Sequence, residues 1–421
     1  MPQVTIEKLI FGGQGLGRVG NKVAFVWGGL PGEEVEFEVT KSKKNFMEGL
    51  VTKVITPAPE RISSVEDHYL SCSPWQVLSQ EAETKWKKEI ALETYFKNGG
   101  IKLKNIELIN GTEQHHYRNK MEYNFFATTD NKIHLAFHTR GTHQLRPIGD
   151  CALASPEILR ATRTLLEWLN QEQVPRNVLK SVIARSDSAG HSALALFIKD
   201  PHAFHTILPL DAELVGLQMY RSDFRSPASV PTELLYEAGQ NFLETKLLDT
   251  KLRFGLLSFF QVNVPVFTEA LQDISQFVNG GKVVDFYSGV GSIGLSLHKN
   301  IEQAVLVEEN KEAVELARQN IEINTIRNIE VKHALAEQAL EYIEPDTTVI
   351  FDPPRVGLHK KVVEKIAAVL PKRIIYLSCG LDTQARDIGM LLPHYRPIYW
   401  KLYNFFPRTP HIEGLCVLEC L

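Results

Sequence analysis

The chain has 421 residues, more than one ordinary core holds, so two or three domains are expected. Hydrophobic residues make up 44% of it and charged residues 23%, and the net charge of −4 excludes a uniformly basic nucleic-acid binder, leaving local basic patches for any RNA contact. Five scattered cysteines (Cys72, Cys151, Cys379, Cys416, Cys420) make no disulfide framework and fit a reducing cytoplasm. The start, MPQVTIEKLI, does not read as a signal peptide, and no run of about 18 apolar residues predicts a membrane span.

Residues 1–57 read as a small β domain. VAFVWGGLPGEEVEFEVT gives two strand-like runs about a Gly-Pro-Gly turn, FGGQGLGRVG a glycine-rich loop, and KSKKNF a loop tip carrying Lys41, Lys43 and Lys44. A small OB-like barrel gripping a nucleic-acid backbone and a merely solvated surface fit this segment equally. TPAPER (56–61) reads as a linker, and 79–97 as a helix stopped by Gly99-Gly100, with Lys85, Lys87 and Lys88 on its exposed face. Residues 115–150 alternate in strand fashion and concentrate Arg118, Lys120, Lys132, Arg140 and Arg146, a candidate RNA-reading sheet face. Solvated charges on a half-exposed sheet are the plainer reading. Residues 156–250 alternate helix-like and strand-like pieces with no chemical motif.

From about residue 258 apolar strands alternate with helical segments: KVVDFYSG, AVLVEE, TTVIFDPP and RIIYLSCG. This pattern predicts βαβ units and a parallel sheet. IYWKLYNFF and LCVLEC lack a helix between them and are expected to pair antiparallel.

Four motifs carry chemistry. In VVDFYSGVGSIG (283–294) a strand ends in Asp285 and a glycine-rich turn is expected to open a helix. Gly289 and Gly291 would let a ligand approach the backbone. Gly289, Gly291 and Gly294 also satisfy the dinucleotide pattern, and Glu308 lies at the spacing of a ribose-binding carboxylate. The glycines place a nucleoside cofactor without choosing between S-adenosylmethionine and a dinucleotide. In IFDPPRVGL (350–358) Asp352 stands at the carboxyl edge of the sheet. Arg355 follows the two prolines where amine methyltransferases commonly have an aromatic residue, which favours a guanidinium acting on phosphate or base. In YLSCGLDTQARD (376–387) Cys379 ends a strand ahead of a helix with Asp382 as candidate N-cap. A helix N-terminus lowers a thiol pKa, although a lone Cys is more often a small core residue. In FFPRTPHIEGL (405–415) Glu413 is a candidate base, its pKa raised by partial desolvation; a surface loop is the alternative.

These parts suit one reaction. Carbon 5 of uracil is a weak nucleophile until a thiolate adds at carbon 6; a base then removes the carbon 5 proton so that the thiolate can leave. The motifs supply a cofactor cradle, a Cys, a carboxylate and a base.

With these motifs in order, the chain resembles the S-adenosylmethionine-dependent (class I) RNA uracil-5-methyltransferases, especially the ribosomal-RNA branch with an N-terminal TRAM domain. The resemblance spans nearly all of the chain and is strongest from SFFQVN (258–263) onward. It implies an α/β multidomain protein with a TRAM barrel at 1–57. A central α/β RNA-binding domain would span 58–80 and 115–253, and a Rossmann-like catalytic domain 81–114 and 254–421, with helix 81–99 packing on the latter. It implies S-adenosylmethionine held by Gln261, Asp285, Tyr287, Gly289, Gly291, Glu308 and Asp352. Cys379 would be the nucleophile and Glu413 the base, with Asp352 on the uracil. Lys41, Lys43, Lys44, Arg118, Lys120, Arg140 and Arg355 would contact RNA. A cytoplasmic monomer is expected, with ribosomal RNA favoured over transfer RNA and no membrane partner.

Three departures stand out. Many ribosomal-RNA members hold a 4Fe–4S cluster on C-x5-C-x2-C plus a distant Cys. Here Glu66 and Trp75 occupy two of those positions, leaving Cys72 and Cys151, so neither a cluster nor another metal is expected. Zinc borrowing His68 or His143 is the remaining option. Gly380 and Leu381 replace the Asn and Pro that follow the nucleophile, and Leu335 replaces an acidic adenine-side residue. The rival activities are a transfer-RNA uridine or an RNA cytosine-5 methyltransferase, a non-catalytic RNA-binding factor, and, on the glycine motif alone, a dehydrogenase. The cytosine enzymes often carry a Cys after the first Pro of the D-x-P element, where this chain has Pro354.

Overall fold

A computed structural model describes all 421 residues, which divide into two compact units: Met1–Ile90, Glu113–Asn241 and Phe406–His411 in the first, Ala91–Thr112, Phe242–Phe405 and Ile412–Leu421 in the second.

The first unit opens with a closed barrel of β1 (Gln3–Leu9), β2 (Gly15–Val19), β3 (Lys22–Trp27), β4 (Glu34–Ser42) and β5 (Phe46–Thr56), in the order β1-β2-β3-β5-β4. Alternating residues Val4, Ile6, Ala24, Val26, Val35 and Phe37 fill its interior. Half of the expected glycine-rich loop is therefore strand. At Gly17 in β2 a Cβ would sit 2.3 Å from the Thr5 carbonyl oxygen, so the glycine allows β1 and β2 to close. The expected linker 56–61 is tied down: Arg61 donates to Gly28 O at 2.6 Å and to the buried Glu33 at 2.8 Å. A helical turn, α1 (Tyr69–Cys72), follows, then α2 (Gln80–Gly99) and the short β6 (Glu107–Ile109). Of the three lysines expected on the outer face of α2, Lys85 is exposed and Lys88 half-buried. Lys87, expected on the outer face, is buried, pairing with Glu83 at 2.9 Å and donating to Phe406 O at 3.2 Å. Fixed by a buried carboxylate, it is structural rather than a phosphate ligand.

Strand β6, and α2 from Ala91 onward, belong to the second unit; the first unit continues with a seven-stranded sheet. It comprises β7 (Lys120–Ala127), β8 (Ile133–His138), β9 (Leu145–Pro147), β10 (Leu179–Ser186), β11 (Ser192–Ile198), β12 (Leu214–Arg221) and β13 (Glu233–Gly239), ordered β13-β12-β11-β10-β7-β8-β9. Helix α3 (Pro156–Gln171) is capped by Ser155, which accepts from the Ile158 N–H at 3.4 Å. Its Ile158, Leu165 and Leu169 pack with Val182, Leu194 and Leu196 of the sheet.

The second unit starts with a hairpin, β14 (Phe242–Leu247) and β15 (Thr250–Gly255), and helix α4 (Val264–Ser275). There follow β16 (Lys282–Phe286), β17 (Gln303–Glu308), α5 (Lys311–Ile323), β18 (Ile329–His333), β19 (Thr348–Phe351), α6 (Lys360–Val369), β20 (Arg373–Ser378), α7 (Leu381–Leu391), β21 (Tyr395–Tyr403) and β22 (Glu413–Cys420). The sheet runs β18-β17-β16-β19-β20-β22-β21-β6. Strands β16 to β20 are parallel; β16, β17, β19 and β20 are almost continuously buried, as a sheet covered on both faces requires, while the edge strand β18 buries only Ile329. As expected, β21 and β22 pair antiparallel. The strand order reverses between β16 and β19, the crevice where open α/β sheets bind ligands.

Candidate active site

The carboxyl ends of β16, β17, β19 and β20 bring Asp285, Glu308, Asp352 and Cys379 to one edge of the sheet. Phe259, Gln261, Asp285, Tyr287, Gly289 and Asp352 line one recess there. Gln261 Nε2 donates to Asp352 Oδ2 at 3.1 Å. Phe259 is 64% exposed at this recess, while its neighbour Phe260 is buried and stacked on Phe254 at 4.3 Å. The sequence reading passed over Phe259 because nothing in the Phe-Phe pair tells which ring turns inward.

The glycine turn does less, and differently, than expected. Tyr287 adopts φ +61°, a costly left-handed conformation that opens the turn. Residues 289–297 form irregular turns rather than the expected regular helix. Gly289 has open space beside it, with only Phe259 O within 4 Å, so it gives a ligand access to the backbone. At Gly291 a Cβ would meet Leu295 Cδ1 at 2.5 Å, so that glycine serves packing rather than ligand approach. Glu308 accepts from the Gly289 N–H at 2.8 Å and the Asn310 N–H at 2.7 Å, holding the turn while its remaining lone pairs stay available. Asp285 Oδ2 accepts from the Gly294 N–H at 2.9 Å, and its Oδ1 is buried without a partner. Burial raises the Asp285 carboxyl to about 8. The open face of Gly289, the free lone pairs of Glu308 and the orphaned Asp285 oxygen fit a nucleoside cofactor with a cationic methyl donor.

Cys379 and Glu413 come together through β20 and β22. Ser378 pairs with Gly414 in that antiparallel ladder, so the next facing residues are Cys379 and Glu413. Gln384 of α7 ties both strand ends: its Nε2 donates to Tyr376 O and Gly414 O, each at 2.9 Å, and its Oε1 accepts from Tyr95 OH at 2.7 Å. The sequence reading missed Gln384, whose role depends on a strand pairing that no local motif records. The α7 N-cap is Gly380, with no side-chain cap, and not Asp382, which lies within the first turn. An added Cβ at Gly380 would meet Thr383 Oγ1 at 2.8 Å and Arg355 O at 2.9 Å, which accounts for glycine where the resemblance suggests Asn. Leu381 is buried in the core.

The electrostatics overturn one expectation. Cys379 is pushed up to about 12, not down, first by burial and then by the nearby charges of Glu413 and Asp352; Arg355 works against them. Burial outweighs the helix N-terminus. Burial also raises Asp352 to about 7, against the Gln261 hydrogen bond, and drives Glu413 well above the carboxylate range, with Asp352 adding to it. Arg355 is exposed beside them.

The other expected RNA contacts lie in the first unit. Lys43 and Lys44 are exposed at the β4–β5 turn; Lys41 is exposed but paired with Glu48 at 2.7 Å. Arg118 and Lys120 are half-buried. Arg140 is committed internally, donating to Leu70 O at 2.6 Å and lying over the Trp27 ring at 4.3 Å. No helix is long and apolar enough to cross a membrane.

Residues 240–420 match the family model described as tRNA (uracil-5-)-methyltransferase, and residues 3–52 match the TRAM domain. An uncharacterized RNA methyltransferase of Listeria monocytogenes is 27% identical over 99% of this chain and 96% of its own length. One from Caldanaerobacter subterraneus is 28% identical over 99% and 97%. Among solved structures, the Pyrococcus abyssi tRNA (uracil-54, C5)-methyltransferase in complex with S-adenosyl-L-homocysteine superposes with a TM-score of 0.78 at 24% identity, covering 99% of this chain and 100% of that one, a likeness of fold. By their sheet-edge site and by these matches, residues 240–420 carry an S-adenosylmethionine-dependent RNA (uracil-5-)-methyltransferase domain, and residues 3–52 carry a TRAM domain.

Proposed function

We propose that this chain methylates carbon 5 of one uridine in ribosomal RNA through a covalent bond between Cys379 Sγ and carbon 6 of the ring. The observation that carries the proposal is the facing pair Cys379 and Glu413 beside Asp352, at the edge that holds the cofactor recess. In the same proposal, residues 1–57 and 58–80 with 115–253 hold RNA, and 81–114 with 254–421 carry the chemistry.

S-adenosylmethionine, when bound, supplies an electrophilic methyl group. At rest Cys379 is a thiol, so its thiolate forms only as substrate enters, the proton passing to the Asp352–Glu413 carboxylate pair. The thiolate adds to carbon 6, electrons move to carbon 5 and the carbonyl oxygen, and carbon 5 would take the methyl group as the sulfonium carbon–sulfur bond breaks, leaving neutral S-adenosyl-L-homocysteine. Glu413 then gives its proton up to solvent, an ionisation the Arg355 charge favours, and its carboxylate removes the carbon 5 proton. The electrons of that C–H bond restore the ring double bond, and the carbon 6–sulfur bond breaks. Gln261 holds Asp352 toward the recess throughout.

Transfer RNA is the second reading, favoured by the solved neighbour whose named substrate is tRNA and which spans 99% of this chain, barrel included. The test is transfer of labelled methyl from S-adenosylmethionine to unmodified ribosomal and transfer RNA, followed by nucleoside digestion. Labelled 5-methyluridine in ribosomal RNA is the expected product. Label in transfer RNA alone overturns the target, 5-methylcytidine overturns the base, and no label from a protein that binds cofactor and RNA overturns the activity.

A further inference from the structure

Four side chains of the first unit converge where the family resemblance suggests an iron–sulfur cluster. They are Glu66, His68, Cys72 and Cys151, and their ligand atoms all lie within 4.8 Å of one another. Three come from the stretch entering and forming α1, and Cys151 stands just ahead of α3. The sequence reading expected no metal here because Glu66 replaces a cysteine. The structure turns that carboxylate into the group.

A 4Fe–4S cluster does not fit these residues. It takes four thiolates, and two are present. Trp75, at a third ligand position, is 2% exposed and donates its indole N–H to Gly13 O at 3.0 Å, so that position is filled by packed ring. A single tetrahedral ion is a different matter. With bonds of about 2.0–2.3 Å its ligand atoms stand roughly 3.3–3.8 Å apart, so the four groups need to draw in by at most about 1 Å.

The polar surroundings already aim the ligands. His68 is 4% exposed, its Nδ1 lies 3.5 Å from Asp67 Oδ1, and Arg146 holds Asp67 at 2.7 Å. This leaves the buried Nε2 facing the group, in ion-pair contact with Glu66 Oε1 at 3.2 Å but without an aligned hydrogen bond. An imidazole nitrogen so placed between a carboxylate and two sulfurs is an atom a cation would satisfy. Glu66 accepts from Gln76 Nε2 at 2.7 Å and from the Ala152 N–H, and Ser73 Oγ lies 3.0 Å from Cys72 Sγ. Such an outer layer fixes ligand orientation in metal sites. Two thiolates and a carboxylate carry three negative charges; a divalent ion and the half-buried Arg140 near Cys72 offset them, while Arg146 offsets Asp67.

We propose that Glu66, His68, Cys72 and Cys151 bind one zinc-class divalent cation in a structural site of two sulfurs, one nitrogen and one oxygen. The mixed soft and borderline donors select such an ion over magnesium or calcium. Its closed four-protein-ligand shell gives it no open position for catalysis. Its place is the joint between barrel and central sheet, where Arg140 joins Leu70 just ahead of Cys72 to Trp27 of β3. The bound ion pins α1 to the segment leading into α3.

The test is elemental analysis of the full chain purified without chelator, with cobalt(II) exchange read by absorbance. The expected result is about one zinc per chain and no sulfide, with tetrahedral ligand-field bands and sulfur-to-cobalt charge transfer after exchange. Glu66→Gln and His68→Gln are expected to weaken cobalt binding at least ~10-fold, and the Cys72→Ser, Cys151→Ser double variant to abolish the charge-transfer band. Cys379→Ala leaves the metal in place. Three outcomes overturn the site: a reduced chain that takes up neither zinc nor cobalt, a Cys72–Cys151 disulfide in protein alkylated at lysis, or iron with stoichiometric sulfide. Cobalt bands unchanged in all three variants overturn the ligand assignment.

Discussion

Cys379 and Glu413 face each other across the end of an antiparallel ladder, one step beyond the Ser378–Gly414 pair. In the proposed mechanism this puts nucleophile and base on opposite strands, on one face of the sheet, where they keep their spacing without help from a loop. Burial holds Glu413 neutral at rest, so glutamine is nearly the same shape and charge there. Glu413→Gln is expected to fold and bind cofactor normally while turnover falls about 10²–10⁴-fold. The covalent RNA adduct should accumulate, since its breakdown needs the base. Single-turnover kinetics with a denaturing gel check this; turnover like that of the native protein removes Glu413 as the base.

Asp285 ties stability to pH. Its folded value of about 8 lies above the ordinary 3.8, so the folded state binds more protons between those values. The contribution is complete below about pH 3.8 and is lost as pH rises through 8. The ceiling is about 1.4 kcal/mol per pH unit. Asp285→Asn keeps an oxygen for the Gly294 N–H and removes the titration. Melting temperatures of the variant should fall less between pH 5 and pH 8 than those of the native protein, leaving the variant the more stable at the upper end. Parallel melting curves would show that Asp285 does not titrate in this range.

Gln384 ties together the strand ends that lead to Cys379 and Glu413. Leucine in its place leaves Tyr376 O, Gly414 O and Tyr95 OH without their buried partner. A loss of about 2–4 kcal/mol in stability is expected. Because the freed strand ends carry Cys379 and Glu413, kcat should drop while the KM for cofactor holds. Urea titration and steady-state kinetics separate the two effects, and a purely structural role would leave kcat of the folded protein unchanged.

Glu308 anchors the cofactor turn through the Gly289 and Asn310 N–H groups. Glu308→Ala is expected to weaken S-adenosylmethionine binding about 10–100-fold, the worth of a charge-assisted hydrogen bond. Calorimetry checks it. A dinucleotide binding better than S-adenosylmethionine would revive the dehydrogenase reading.

Much of the catalytic unit is legible in the sequence because its strands are buried runs that end in Asp285, Glu308, Asp352 and Cys379. What the sequence does not carry is the direction each side chain takes once packed. Lys87 looks exposed by spacing but finds Glu83 in the interior. Gly291 looks like a ligand contact but faces Leu295. Cys379 looks like a ready thiolate by its place at a helix start, yet its burial beside two carboxyls reverses the sign of the shift. Glu66 looks like a lost ligand and turns out to point at two sulfurs. Each depends on contacts between residues far apart in the chain.

A covalent bond from Cys379 to the uridine ring is tested most directly with 5-fluorouridine-substituted RNA. Fluorine at carbon 5 cannot leave as a proton does, so the methylated adduct cannot break down. Incubated with S-adenosylmethionine and this RNA, the native chain is expected to give a denaturant-stable protein–RNA species, which Cys379→Ala does not form. No adduct from a native protein that binds both ligands would contradict the mechanism, and an adduct that survives Cys379→Ala would contradict the nucleophile.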